Sequence, residues 1–192
     1  MNAPAPIPPP APISPGGLLR RFVRERKGAT VVEFALVALP FFALIFAILE
    51  TALVFFAGQV LETAVADTGR LVMTGQVQSQ GISEAEFKER LCDRVGGMFD
   101  CEAGVQVDVR VLAGFAAPER PVNEAGELDT SGFAFQPGQG GDIVLVRAVY
   151  EWPVVISLLG LNLADMPNGR RLVMATSAFR NEPFGAIAAA GQ

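Results

Sequence analysis

Two carboxylates and two thiols carry most of the chemistry this sequence offers. Glu33 lies five residues after Gly28, just inside a long apolar run, and Glu50 lies further along the same run. A carboxylate in or near a membrane is costly, so it is usually paired or functional. Cys92 and Cys101 are the two cysteines, with eight residues between them, and histidine is absent. Histidine-dependent acid–base chemistry is therefore excluded. Two thiols without a further cysteine or a histidine do not make a usual zinc site. Ser157 and Ser177 read as ordinary strand or helix residues. Glu151 beside Trp152 reads as a strand terminus rather than a general acid. The expectation is a protein that is not an enzyme and takes no metal and no cofactor.

The elements around these residues point to a membrane. The chain has 192 residues, is 51% hydrophobic, and carries a net charge of −5; its mean hydropathy is +0.37, high for a soluble domain. The excess sits between Val31 and Gly58. Sixteen uncharged residues separate Glu33 from Glu50, and a spanning helix needs about twenty mainly apolar residues. A buried helix of a soluble protein and a secretory signal peptide are the alternatives. The first is disfavoured by apolarity on every face in a small chain. The second is disfavoured by length, since a signal's apolar region runs only about 7–15 residues.

Charge sets the expected topology. Arg20, Arg21, Arg24, Arg26 and Lys27 precede the run, opposed by Glu25 alone. From Gln59 onward, 17 acidic residues face 10 basic ones. The positive-inside rule keeps the N-terminal flank cytoplasmic and leaves the rest outside. In that compartment Cys92 and Cys101 can form a disulfide closing a short loop; two independent small buried residues are the alternative. Outside the N-terminal flank no basic patch suggests nucleic acid.

The segment "RERKGATVVEF" resembles the processing site of type IV prepilins and pseudopilins. Within that group it is most similar to the tight-adherence (Flp pilus) class and its TadE-like pilus assembly proteins. The resemblance covers Arg20–Gln76 and, less fully, Gly141–Phe184. It implies a cut after Gly28, with Ala29 as the new N-terminus, Glu33 as the fifth mature residue and Phe34 its neighbour. The chain has no room for the large extra domain of the longer TadG-like relatives. Before a cut, Glu33 can sit at the interface and pair with Lys27, with help from Arg26. After it, those charges leave and a free amine appears on Ala29. Glu33 of the same chain or of a neighbour could neutralise that amine, and the resemblance favours the neighbour. Glycine before the cut leaves the backbone unshielded for a peptidase.

Glu50 stands about 25 Å beyond Glu33 along a helix. An outer-interface position is favoured over a specific contact, because apolar residues end soon after it. Ala43 and Ala47 make a small-residue pair suited to close helix packing. Pro40 removes a backbone donor and should loosen or kink the turn before it.

The outer part reads as α+β. Residues 1–28 form a proline-rich leader with a basic flank. Residues 29–75 form the membrane helix and an amphipathic extension whose face is Leu61, Ala64, Val65, Thr68, Leu71 and Val72. Residues 76–192 form an extracytoplasmic α+β domain, a small antiparallel sheet packed with short helices. Ser83 and Glu86 form a capping box opening a helix from Glu84 to about Arg94. "VQVDVRVL" alternates, placing Val105, Val107, Val109 and Val111 on one face and Gln106, Asp108 and Arg110 on the other. "PERPVNEAGELDTSG" reads as an exposed loop. "DIVLVRAVYEW" and "RRLVMATSAF" give two further strands, and "PVVISLLGLNLAD" a short helix opened by Pro153. The run Val154–Leu163 either packs on the sheet, the favoured reading, or rests on the membrane or a partner.

The resemblance implies a membrane-anchored minor pilin or pseudopilin in Tad (Flp-type) pilus biogenesis and secretion. It would sit as a single pass in the inner membrane, with its N-terminus cytoplasmic and its domain periplasmic, or enter the pilus. The implied partners are a prepilin peptidase, other Tad pilins or pseudopilins, the inner-membrane assembly machinery and the lipid bilayer. The alternative is a single-pass envelope sensor or protein-binding module without prepilin processing.

Overall fold

The computed structural model describes residues 26–115, 119–155 and 162–184. It divides into two compact units, Met1–Ile45 and Phe46–Gln192. One helix, α1 (Arg26–Met73), runs through the unit boundary and continues unbroken through Pro40. Its stretch from Thr30 is long and apolar enough to cross a membrane. The proline-rich leader, 1–25, lies outside the described residues.

In the first unit α1 is apolar and open. Val31, Phe34, Leu36, Val37 and Leu39 are all at least two-thirds exposed. An apolar side chain left in water forfeits about 1.5–3 kcal/mol of burial free energy, so a surface of this kind belongs in lipid or against other helices.

In the second unit the same helix becomes one-sided. Ala47, Glu50, Val54, Ala57, Leu61, Ala64, Val65, Thr68 and Val72 are buried, at steps of three and four, which is one face of a helix. The expected face from Leu61 to Val72 is thus present, and it begins four turns earlier, inside the apolar run. Thr68 satisfies its hydroxyl on the carbonyl of Ala64 at 2.7 Å. Gly75, with φ of 77°, ends the arm, and a Cβ there would collide with the Phe184 ring. After the short α2 (Gln76–Gln80), α3 (Glu84–Val95) opens on Ser83, whose hydroxyl accepts from the Glu86 N–H at 3.3 Å. Its buried stripe is Phe87, Leu91 and Val95.

The sheet is antiparallel in the order β1 (Gln106–Leu112), β2 (Ile143–Pro153), β3 (Arg170–Arg180). One face packs on α1 and α3 through Val107, Val109, Val144, Val146, Ala148, Tyr150, Val173 and Ala175. The fold class is therefore α+β, a long apolar helix followed by a small antiparallel sheet with short helices.

Three expectations need correction. The loop "PERPVNEAGELDTSG" does not simply face solvent: it covers the second sheet face. Val122, Leu128 and Phe133 pack there against Val149, Met166 and Leu172. The chain at Ala134–Gln136 also adds to the free edge of β1, with Val109 N–H donating to Ala134 O at 2.7 Å and Gln136 N–H to Val109 O at 2.6 Å. With that cover in place, Asp108 is fully buried, whereas Val111 at the strand's end is 41% exposed. Finally, Pro153 closes β2 rather than opening a helix. It pairs with Arg170, past the end of β1, whose last partner on β2 is Val149. Residues 162–165 are not helical, and 156–161, including Ser157, lie outside the described residues.

Candidate functional site

The residues that could carry function fall into three places. The first is the start of α1. Gly28 lies within the helix, and a Cβ built there meets nothing within 4 Å. It is also not among the glycines with positive φ. Among the described residues nothing requires glycine at that position, in contrast to Gly75. Ala29 follows in the helix. Glu33 is exposed, and Phe34 is 70% exposed. The segment is presented outward, with its carboxylate and aromatic ring open.

The second place is the seam between α1 and the end of β2. Glu50 is only 7% exposed, and its Oε1 accepts a hydrogen bond from the Val155 backbone N–H at 2.6 Å. Beside an apolar helix, a backbone donor without water needs such a partner. A charged acceptor also makes a stronger bond than a neutral one. The expected boundary marker thus makes a defined long-range contact. The spacing Ala47, Glu50, Val54, Ala57 puts the carboxylate on the buried stripe, which the uniform apolar run did not mark in the sequence.

The third place is the loop-covered sheet face. Asp108 is wholly buried between two arginines. Arg147 Nη2 donates to its Oδ2 at 2.8 Å, Arg110 Nε to its Oδ1 at 3.1 Å, and the Ala134 N–H to Oδ1 at 3.1 Å. Arg147 is itself buried, donates to Glu119 O at 2.9 Å and lies 4.9 Å over the Phe133 ring. Arg110 donates to Gly132 O at 2.7 Å. Each arginine therefore holds a carbonyl of the covering loop as well as Asp108. That arrangement pins a loop to a sheet. It offers no nucleophile, and the carboxylate has no open side for a substrate.

The remaining candidates are scattered. Cys92 in α3 and Cys101 are bonded, with Cα atoms 5.8 Å apart, tying the helix to the loop before β1. Ser177 lies on β3. Glu151 accepts from Asn168 Nδ2 at 3.1 Å. On the surface, hydrogen bonds from Ser131, side chain first and backbone second, hold the Asp129 carboxyl below the usual carboxylate value. Among the described residues no cluster of three acidic, cysteine or histidine groups could hold a metal ion.

Comparison with known proteins places the chain by its helix. Residues 28–70 match the family of TadE-like proteins. No curated protein and no solved structure gives a match. The match begins at Gly28 and ends within the buried stripe of α1. Together with the one helix among the described residues that is long and apolar enough to span a membrane, the match supports a general pilin- or pseudopilin-type membrane protein.

Proposed function

We propose that this TadE-like protein is a minor pilin or pseudopilin of a Tad-type pilus and secretion system, processed after Gly28 and assembled through the exposed first part of α1. The observation that carries the proposal is the contrast at Gly28. Among the described residues, Gly28 neither turns the backbone nor makes room for a neighbour, so the local fold does not call for glycine there. Its use lies in a partner that must reach the peptide bond, which fits a prepilin peptidase at the membrane face. Processing would free the Ala29 amine one helical turn from Glu33. The exposed Glu33 carboxylate is then available to the amine of a neighbouring subunit, and Phe34, Leu36 and Val37 to its helix. Lipid and other Tad pilins or pseudopilins would share this surface, with the basic flank cytoplasmic, the sheet domain periplasmic and the assembly machinery in the inner membrane.

The test is the mass of the mature protein purified from membranes that contain the cognate peptidase. Processing predicts an N-terminus at Ala29 and its loss in Gly28→Leu. An intact leader in the wild-type chain would exclude processing and favour the sensor or binding-module alternative. Glu33→Ala should insert normally yet fail to assemble, as read by crosslinking to neighbouring subunits.

A further inference from the structure

The end of the sheet beside Glu50 carries an apolar surface that the helix alone does not account for. Val155 is 83% exposed, yet its backbone is fixed by the bond to Glu50. That bond places Val155 level with a turn of α1 whose other sides are open and apolar. Phe46, Leu49 and Leu53 are each at least half exposed, and Phe55 and Phe56, further toward the domain, are more so. An exposed valine held at this level is continuous with the lipid-facing surface of the helix.

The residues leading to Val155 suit a bilayer boundary. Trp152 is half-buried, with its ring edge-on to Phe99 at 5.9 Å. It pairs with Arg171, and Pro153 with Arg170. Arg170 donates to Glu151 O and Arg171 to Leu163 O, both backbone carbonyls, while the Glu151 carboxylate accepts from Asn168. An apolar tip with an indole and two cations at the levels next to it is the set of side chains found where a protein enters the headgroup region.

We propose that the end of β2, Trp152–Val155, seats in the outer interface of the bilayer that α1 crosses, so that the sheet domain rests on the membrane surface. The occupant is lipid, at the junction of acyl chain and headgroup. The inference rests on the membrane-spanning reading of α1.

Trp152 is the single tryptophan, so its emission reports this site directly. The full-length protein would be reconstituted in phosphatidylcholine vesicles, with and without bromine on the upper acyl chain. The expected result is loss of Trp152 emission in the brominated vesicles and weak quenching by aqueous acrylamide. In Val155→Asp the bromolipid loss should shrink and acrylamide quenching should rise. Emission unchanged by bromolipid, in protein that floats with the vesicles and resists carbonate extraction, would overturn the proposal. Failure to float or resist extraction would overturn the spanning reading instead, and this one with it. Should Val155→Asp fail to fold, the wild-type comparison still decides.

Discussion

Val31 to Phe42 and Phe46 to Val72 belong to one helix and are both rich in Val, Leu, Phe and Ala, yet they behave differently. In the first stretch the large side chains are open all round. In the second, every third or fourth residue is buried, from Ala57 onward in the core shared with the sheet. The buried positions include the small residues Ala47, Ala57 and Ala64, which allow another element to approach closely, whereas Phe46, Phe55 and Phe56 point away. The same apolar composition thus serves two purposes. One stretch is open on every side, and the other commits one of its faces within the chain.

Matched leucines should break this comparison most sharply. Leu61 is fully buried and Leu36 is 71% exposed. Leu61→Ala should cost about 2–5 kcal/mol of domain stability, as buried leucines do, while Leu36→Ala should leave it unchanged. Urea unfolding of the full chain in detergent, followed by Trp152 emission, would measure both. Equal effects would mean that the two stretches do not differ in the way described.

A smaller loss is expected from the disulfide, which anchors only α3 of the second region. Cys92 and Cys101 are nine residues apart, and closing so short a loop restricts the unfolded chain by about 2–3 kcal/mol. Cys92→Ser with Cys101→Ser should lower the unfolding free energy by that amount, read as a lower urea midpoint, without altering membrane insertion. An unchanged midpoint would show that packing by Phe87 and Leu91 holds α3 alone.

How far the sequence revealed this arrangement depended on contrast between neighbouring residues. The face from Leu61 to Val72 was legible because polar Glu62, Asp67 and Arg70 break the apolar pattern. The start of that face at Ala47 was not, since inside a continuous apolar run a buried and a lipid-facing position are chemically alike. β1, α3 and its cap were legible from alternation and from Ser83 with Glu86. The burial of Asp108 was hidden because its partners, Arg147 and the loop at Glu119–Ala134, are distant in sequence, and a polar strand face usually means solvent. Glu33 stood out from its spacing to Gly28, and among the described residues nothing requires that glycine. Glu50 stood out as a charge, but its partner is a backbone N–H, which leaves no mark on sequence.

The two carboxylates give the finest version of the comparison. Glu33 is exposed in the first stretch, and Glu50 is buried in the second with Val155 N–H bound to it. Glu50→Ala leaves that N–H without its acceptor, at a cost of about 1–3 kcal/mol for a buried donor. Because the Val155 bond sits at the end of β2, the loss should be local. Hydrogen exchange at the Val155 amide should speed up, while amides of β1 and α3 keep their protection. Glu50→Gln retains an acceptor oxygen and should restore most of the protection. Glu33→Ala, an exposed position in the first unit, should change none of these rates. Faster exchange across the whole sheet in Glu50→Ala would mean that the carboxylate supports the entire domain, and unchanged exchange at Val155 would mean that it does not hold the end of β2.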